Sequence, residues 1–194
     1  MLLALTVLLQ PPGRVAADTK LDLSVDPARF LARATHAYTD EFPLGQVQNQ
    51  AYGYLFPQGP FFLLTHFAGV PEWVAQRAWW TLLVCLAYSG ALILARRTGV
   101  RGRVPQVTAA LLYALSPRIL TTLTAISSEA WPVALVPWTL IPLARARPRV
   151  AGAVLAVAAM GAVNATATIA ACVPALIWLL CRREYARAAW FALG

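Results

Sequence analysis

Asp18, Asp22 and Asp26 fall within one ten-residue stretch, Ala17-Asp-Thr-Lys-Leu-Asp-Leu-Ser-Val-Asp26, of a chain with only eight acidic side chains among its 194 residues. In so apolar a sequence the position of a charge carries information. A carboxylate within hydrogen-bond reach of a hydroxyl can act as general base, and cations beside a departing phosphate stabilise the charge that develops there. Asp18 or Asp22 could supply the base, and Lys20, Arg29, Arg33 or Arg118 could hold the phosphate. Together they would serve a sugar transfer from a lipid-phosphate donor at a membrane surface. The competing reading is that Asp18 and Lys20 merely solvate a loop, as exposed charges usually do.

A second group of candidates lies in the amide- and aromatic-rich stretch from Phe42 to Gly59, where Gln48, Asn49 and Tyr52 have the chemistry of carbohydrate contacts. Amides pair with sugar hydroxyls, and aromatic faces stack on sugar rings. An ordinary external loop with interfacial tyrosines has the same composition. No phosphate-cradling glycine loop, zinc triad or Ser-His-Asp arrangement is present, so nucleotide-driven transport and metal-assisted hydrolysis have no support. Cys85, Cys172 and Cys181 stand alone in apolar runs with no metal-ligand spacing, and read as small buried hydrophobes. No metal-binding residues are predicted.

The elements that must position these groups are membrane helices. The chain is 59% hydrophobic and only 12% charged, about half the charged share of a soluble domain, and its mean hydropathy is +0.61. The net charge of +8 resides in clusters between apolar segments: Arg96-Arg97 with Arg101 and Arg103, then Arg145, Arg147 and Arg149, then Arg182-Arg183 and Arg187. That is positive-inside patterning, not the one-faced basic patch of a nucleic-acid binder. Six of the eight acids fall between positions 18 and 72, in a loop placed outside the cytoplasm by the arginines on the other side.

Three parts are expected. Residues 1–17 hold a first span, truncated in preference to being a signal peptide because no basic residue precedes its nine apolar residues. Residues 18–70 form the extracytoplasmic active loop. There Asp26-Pro27 opens a helix whose Phe30, Leu31 and Ala34 face away from Arg29, Arg33 and His36, as in a helix lying on the membrane interface. Pro60 to Gly69, with His66, is too short to span and reads as a half-helix or surface helix. Residues 71–194 hold further spans, incomplete at the end. Pro71-Glu72 opens one that reaches Ala95. Val104 to Ala144 accommodates two, one near Val107 to Leu123 that Ser116-Pro117-Arg118 interrupts and one near Trp131 to Leu143, with Glu129 at their outer turn. Arg118 has no evident local partner and reads either as a snorkelling side chain or as a group facing a polar cavity. Val150 to Cys181 predicts two short helices turning at Asn164 to Thr168, with one long span as the alternative. The fold class is an all-α polytopic transmembrane bundle.

Several strings then resemble the N-terminal membrane region of the actinobacterial alpha-(1→3)-arabinofuranosyltransferases, polytopic glycosyltransferases of GT-C type. They are Ala17-Asp-Thr-Lys-Leu-Asp-Leu23, Phe30-Leu-Ala-Arg33, Gln46-Val-Gln-Asn-Gln-Ala-Tyr-Gly-Tyr-Leu-Phe-Pro57, Gln76-Arg-Ala-Trp-Trp80, Ala114-Leu-Ser-Pro-Arg118 and Ser127-Ser-Glu129. The resemblance runs from about Ala17 to about Pro142. It implies a multi-pass plasma-membrane enzyme that moves arabinofuranose from a decaprenyl-phosphate donor to cell-envelope arabinan, in arabinogalactan or lipoarabinomannan. The position matching the catalytic acid is Asp18, with Asp22 second. Lys20, Arg29, Arg33, Gln48, Asn49, Tyr52, Arg118 and Glu129 are the substrate-binding candidates. Expected partners are the polyprenyl-phosphate sugar, the arabinan acceptor and the bilayer, without nucleic acid; a divalent metal is left open. Family proteins are much longer, so this front portion alone is expected to be inactive. The rivals are a non-catalytic transporter subunit or scaffold, and a GT-C enzyme for another sugar such as mannose.

Overall fold

A computed structural model describes residues 11–18, 20–39, 44–47 and 51–193. Among these the chain is helical apart from a two-residue antiparallel ladder, β1 (Tyr38–Thr39) with β2 (Gln46–Val47). The helices are α1 (Leu21–Val25), α2 (Pro27–Ala34), α3 (Gln58–Phe67), α4 (Glu72–Arg97), α5 (Arg103–Ala114), α6 (Pro117–Leu123), α7 (Ser127–Leu143), α8 (Val150–Ala158), α9 (Ala165–Cys181) and α10 (Tyr185–Leu193). A 3-10 turn, Ala51–Leu55, leads into α3.

α4 follows Pro71, carries Glu72 in its first turn and ends on Arg96 and Arg97, so its terminal charges complement the helix dipole at both ends. Its 26 residues span about 39 Å. Among the described residues it is the one helix both long and apolar enough to cross a bilayer by itself. Its inward stripe, Trp79, Leu83 and Ala87 with Trp80 and Val84, is almost wholly buried, and the helix packs on α7 and α5 to a similar extent. Trp79 stacks on Trp131 of α7, with ring centroids 4.5 Å apart.

α7 contains Pro132, Pro137 and Pro142, and each proline leaves the carbonyl four residues earlier without its helical donor. For Pro137 that carbonyl belongs to Val133, and the Tyr113 hydroxyl of α5 donates to it. At the far end Arg182 donates to the carbonyls of Leu143 at 3.2 Å, Arg145 at 2.8 Å and Ala146 at 3.3 Å. One guanidinium thus closes the C-terminus of α7 and ties it to the end of α9.

The segment from Val150 to Cys181 is two helices, as the paired reading expects, but the turn comes earlier than Asn164 to Thr168. Gly161 adopts a φ of +75°, and Asn164 is already the cap of α9, its Oδ1 accepting from the Ala167 N–H at 2.9 Å. α8 is only 9 residues and α9 is 17, about 14 and 26 Å long.

Asp26 caps α2, accepting from the Arg29 N–H at 3.0 Å, and Pro27 occupies the first turn. The apolar face expected to lie on lipid is instead covered by protein. Phe30 and Ala34 are buried, and the Phe30 ring meets Tyr54 edge-on at 5.7 Å. An amphipathic stripe reports that a face is covered, not by what. The 3-10 turn is itself seated on the turn between α8 and α9. A Cβ on Gly53 would lie 2.6 Å from backbone atoms of Val163, and one on Gly161 would lie 2.4 Å from the Phe56 carbonyl oxygen.

Candidate active site

The residue before α7 is Ile126, which offers no side-chain cap to the helix, leaving its first N–H groups to be satisfied from elsewhere. Asp18 does this across 109 residues of sequence: its Oδ1 accepts from the Ser127 N–H at 3.0 Å, and its Oδ2 accepts from the Ser127 hydroxyl. Ser127 is 1% exposed and in turn accepts from Gln58 Nε2 at 3.2 Å. The hydrogen bonds therefore run in one sense, from Gln58 at the head of α3 through Ser127 to Asp18.

The strand of chain that delivers Asp18 is held at its other end by α4. Gln76, 2% exposed, accepts from the Ala16 N–H at 2.8 Å and donates to the Ala16 carbonyl at 3.0 Å. The neighbouring Arg77, equally buried, donates to the Pro11 carbonyl at 2.6 Å and lies over the Trp73 ring at 4.9 Å.

Arg118 does have a partner. Its Nη2 donates to Glu129 Oε2 at 2.8 Å, while Glu129 Oε1 accepts from Asn164 Nδ2 at 3.1 Å. Glu129 thus ties α6 and α9 to the first turn of α7. The Arg118 side chain remains 56% exposed, so its guanidinium is accessible beside that ion pair. Ser127 and Glu129 are two residues apart and point to different sides of the helix. Asp18 and Arg118 consequently both bind residues of the first turn of α7, through Ser127 and Glu129 respectively. A fixed carboxylate and an accessible cation held at one helix end are a base and a phosphate-binding group in type.

The other predicted residues are distributed more widely. Asp22 pairs with Arg33 at 3.0 Å on the surface, so these two candidates neutralise each other. Lys20 is half-buried at the start of α1, and the Arg29 residue is exposed on α2. Tyr52 is 60% exposed and lines an open groove of about 430 Å³ with Phe56, Val157, Gly161 and Thr168, which Asp18 does not line. Gln48 and Asn49 lie outside the described residues. Among the described residues no three His, Cys, Asp or Glu side chains come together as a metal-holding group.

Ser127, Gln58, Gln76, Arg77 and Asn164 were not singled out from sequence. A signal existed for some of them. Gln76 and Arg77 interrupt an apolar helix among tryptophans, where polar side chains have partners as a rule, and a helix starting after isoleucine must borrow its cap.

The sequence model of the family described as "Alpha-(1->3)-arabinofuranosyltransferase, N-terminal GT-C domain" matches residues 2–194. The chain is 50% identical over 198 residues to the alpha-(1->3)-arabinofuranosyltransferase of Mycobacterium tuberculosis (strain ATCC 25618 / H37Rv), covering 95% of this chain and 14% of that protein. Its identity to the protein of the same name from Mycolicibacterium smegmatis (strain ATCC 700084 / mc(2)155) is also 50%, over 181 residues, 90% of this chain and 13% of the other. The fold is similar to the cryo-EM structure of the arabinofuranosyltransferase AftD from Mycobacteria, with a TM-score of 0.88 at 48% identity over 98% of this chain and 16% of that one. A variant form of AftD gives 0.85 at 49% identity over 92% and 15%. The chain thus spans about one seventh of the length of these relatives.

Proposed function

Since the chain belongs to the alpha-(1→3)-arabinofuranosyltransferase family, matching its N-terminal GT-C domain, we propose that it carries the catalytic base of an enzyme transferring arabinofuranose from decaprenyl-phosphate-arabinose to cell-envelope arabinan. The observation that carries this reading is the Asp18 carboxylate docked on the first N–H and hydroxyl of α7. Asp18 takes the proton of the acceptor hydroxyl as that oxygen attacks the anomeric carbon. The bond from that carbon to the phosphate oxygen breaks, and the polyprenyl phosphate leaves with the electron pair. One carboxylate suffices, because a single inverting displacement forms no covalent intermediate with the protein. Ser127 occupies two of the roughly four acceptor positions of the carboxylate and so sets its direction.

Arg118, exposed beside Glu129, is the preferred group for the departing phosphate, with Lys20, two residues after Asp18, as the second. Arg29, and Arg33 alongside its partner Asp22, border the same loop. Gln48, Asn49 and Tyr52 are assigned to sugar contacts. The proposed arrangement places residues 1–17 in a first span, the loop 18–70 on the extracytoplasmic face of the plasma membrane, and residues 71–194 in a multi-pass bundle with its arginine clusters inside. Acceptor contacts and part of the donor cavity come from the remainder of the full-length protein.

The test is Asp18→Asn in the full-length protein, assayed with a labelled polyprenyl-phosphate arabinose donor. Asparagine keeps an oxygen for the Ser127 N–H and removes the base. Transfer is expected to fall about 10²- to 10⁴-fold while the protein remains folded; wild-type rates in this variant would refute the reading. Polyprenyl-phosphate mannose offered in the same assay is expected to give no product.

A further inference from the structure

We propose that Gln76 is a positioning residue for Asp18, acting through the peptide of Ala16; the inference rests on the reading of Asp18 as the base. The carboxamide of Gln76 spends both its donor and its acceptor on one residue, the Ala16 N–H at 2.8 Å and the Ala16 carbonyl at 3.0 Å. Two antiparallel hydrogen bonds to one residue fix both its place and the tilt of its flanking peptides. The same Ala16 carbonyl also accepts from the Asp18 N–H at 2.9 Å, a tight three-residue turn. One oxygen is therefore the junction between Gln76 and the backbone of Asp18, whose Cα lies at most about 7 Å further along the chain.

The surroundings make this junction rigid. Gln76 is 2% exposed within α4, and Arg77 beside it anchors Pro11, five residues before Ala16. At the other end Ser127 of α7 holds the Asp18 carboxylate. α4 and α7 are themselves locked by the Trp79–Trp131 stack. Asp18 is thus suspended between two helices that pack on each other, with Gln76 setting its register along the strap and Ser127 its direction. No neighbouring residue type does the same. Glutamate would bring an acceptor against the Ala16 carbonyl, asparagine is a methylene too short, and alanine releases both hydrogen bonds. Among the described residues the side-chain hydrogen bonds of Gln76 go to Ala16, so its effect is expected on the rate and not on substrate affinity.

The experiment measures kcat and donor KM of the full-length enzyme for wild type, Gln76→Ala, Asp18→Asn and the double variant, each normalised to folded protein. Misplacing a catalytic group by about 1 Å costs on the order of 100-fold, so Gln76→Ala is expected to lower kcat about 100-fold with donor KM changed less than about twofold. In the Asp18→Asn background it is expected to change the residual rate less than about twofold, because there is no base left to position. Gln76→Asn, which fits the same space without reaching Ala16, carries the same expectations should Gln76→Ala not fold. A wild-type kcat per folded enzyme, a loss confined to KM, or equal losses with and without Asp18 would overturn the proposal. If Asp18→Asn is inactive and Gln76→Ala is not impaired, only the positioning role fails. If Asp18→Asn keeps its activity, the base assignment fails and this inference with it.

Discussion

A methyl group on Gly161 is expected to pry the first loop off the helix bundle. Two penalties apply to Gly161→Ala. The residue has a φ of +75°, which costs an L-residue roughly 1–2 kcal/mol, and the new Cβ would lie 2.4 Å from the Phe56 carbonyl oxygen and 3.1 Å from Pro57 Cδ. A backbone oxygen cannot swing aside as a flexible side chain would, so the contact is relieved only by moving residues 51–57 as a unit. Overpacking of this kind costs about 1–3 kcal/mol. Gly69 provides the control: its φ is +67°, with nothing within 4 Å of an added Cβ, so Gly69→Ala carries the conformational penalty alone. The assay is amide hydrogen exchange of the full-length protein over residues 51–57, which reports local opening. Exchange there is expected to speed up by about 5- to 150-fold in Gly161→Ala, the equivalent of 1–3 kcal/mol, and to stay at the wild-type rate in Gly69→Ala. Transfer activity should fall with it, since this loop leads into Gln58, the donor to Ser127. Unchanged protection of residues 51–57 in Gly161→Ala would refute the argument that the loop is seated by this contact.

Two further substitutions probe the helices around the site. Tyr113→Phe removes the donor to the Val133 carbonyl and is expected to destabilise the protein by about 1–3 kcal/mol; in a Pro137→Ala background, where the residue-137 N–H returns to that carbonyl, the cost should drop by about 1 kcal/mol or more. A thermal double-mutant cycle checks this, and equal costs in both backgrounds would contradict it. Arg118→Ala removes a half-exposed partner of Glu129 and should change stability by less than about 1 kcal/mol, yet raise the donor KM about tenfold or more through loss of a charge-assisted phosphate contact. Steady-state kinetics with varied donor decides it.

Local signals in the sequence were the dependable ones. Asp26-Pro27 and Pro71-Glu72 open helices in the structure because capping and proline preferences act within one turn. The break between α8 and α9 was foreseen, although Asn164 proved to be the cap and Gly161 the turn. The site was legible only on one side. Asp18 stood out because charge is rare in the chain, but the groups that fix it, Gln76 and Ser127, lie 60 and 109 residues away from the segments they hold, and no periodicity encodes such pairings. The partner of Arg118 was hidden for the same reason: Glu129 comes 11 residues later, beyond the reach of helical spacing, and meets it because the chain turns between α6 and α7. The covered face of α2 shows the other limit, since lipid and protein demand the same apolar stripe.

The separations along the chain also set an order of events during synthesis. At about 5–20 residues per second, Gln76 emerges roughly 3–12 seconds after Ala16, and Ser127 roughly 5–22 seconds after Asp18, given separations of 60 and 109 residues. The strap can therefore be registered on α4 before the first residue of α7 has been made. α7, which starts after an isoleucine and has no cap of its own, would then arrive to find a carboxylate already waiting for its first N–H. Its other end must wait for Arg182, the residue that closes it. The carboxylate proposed as the base would also serve the nascent chain as a template for the start of its central helix.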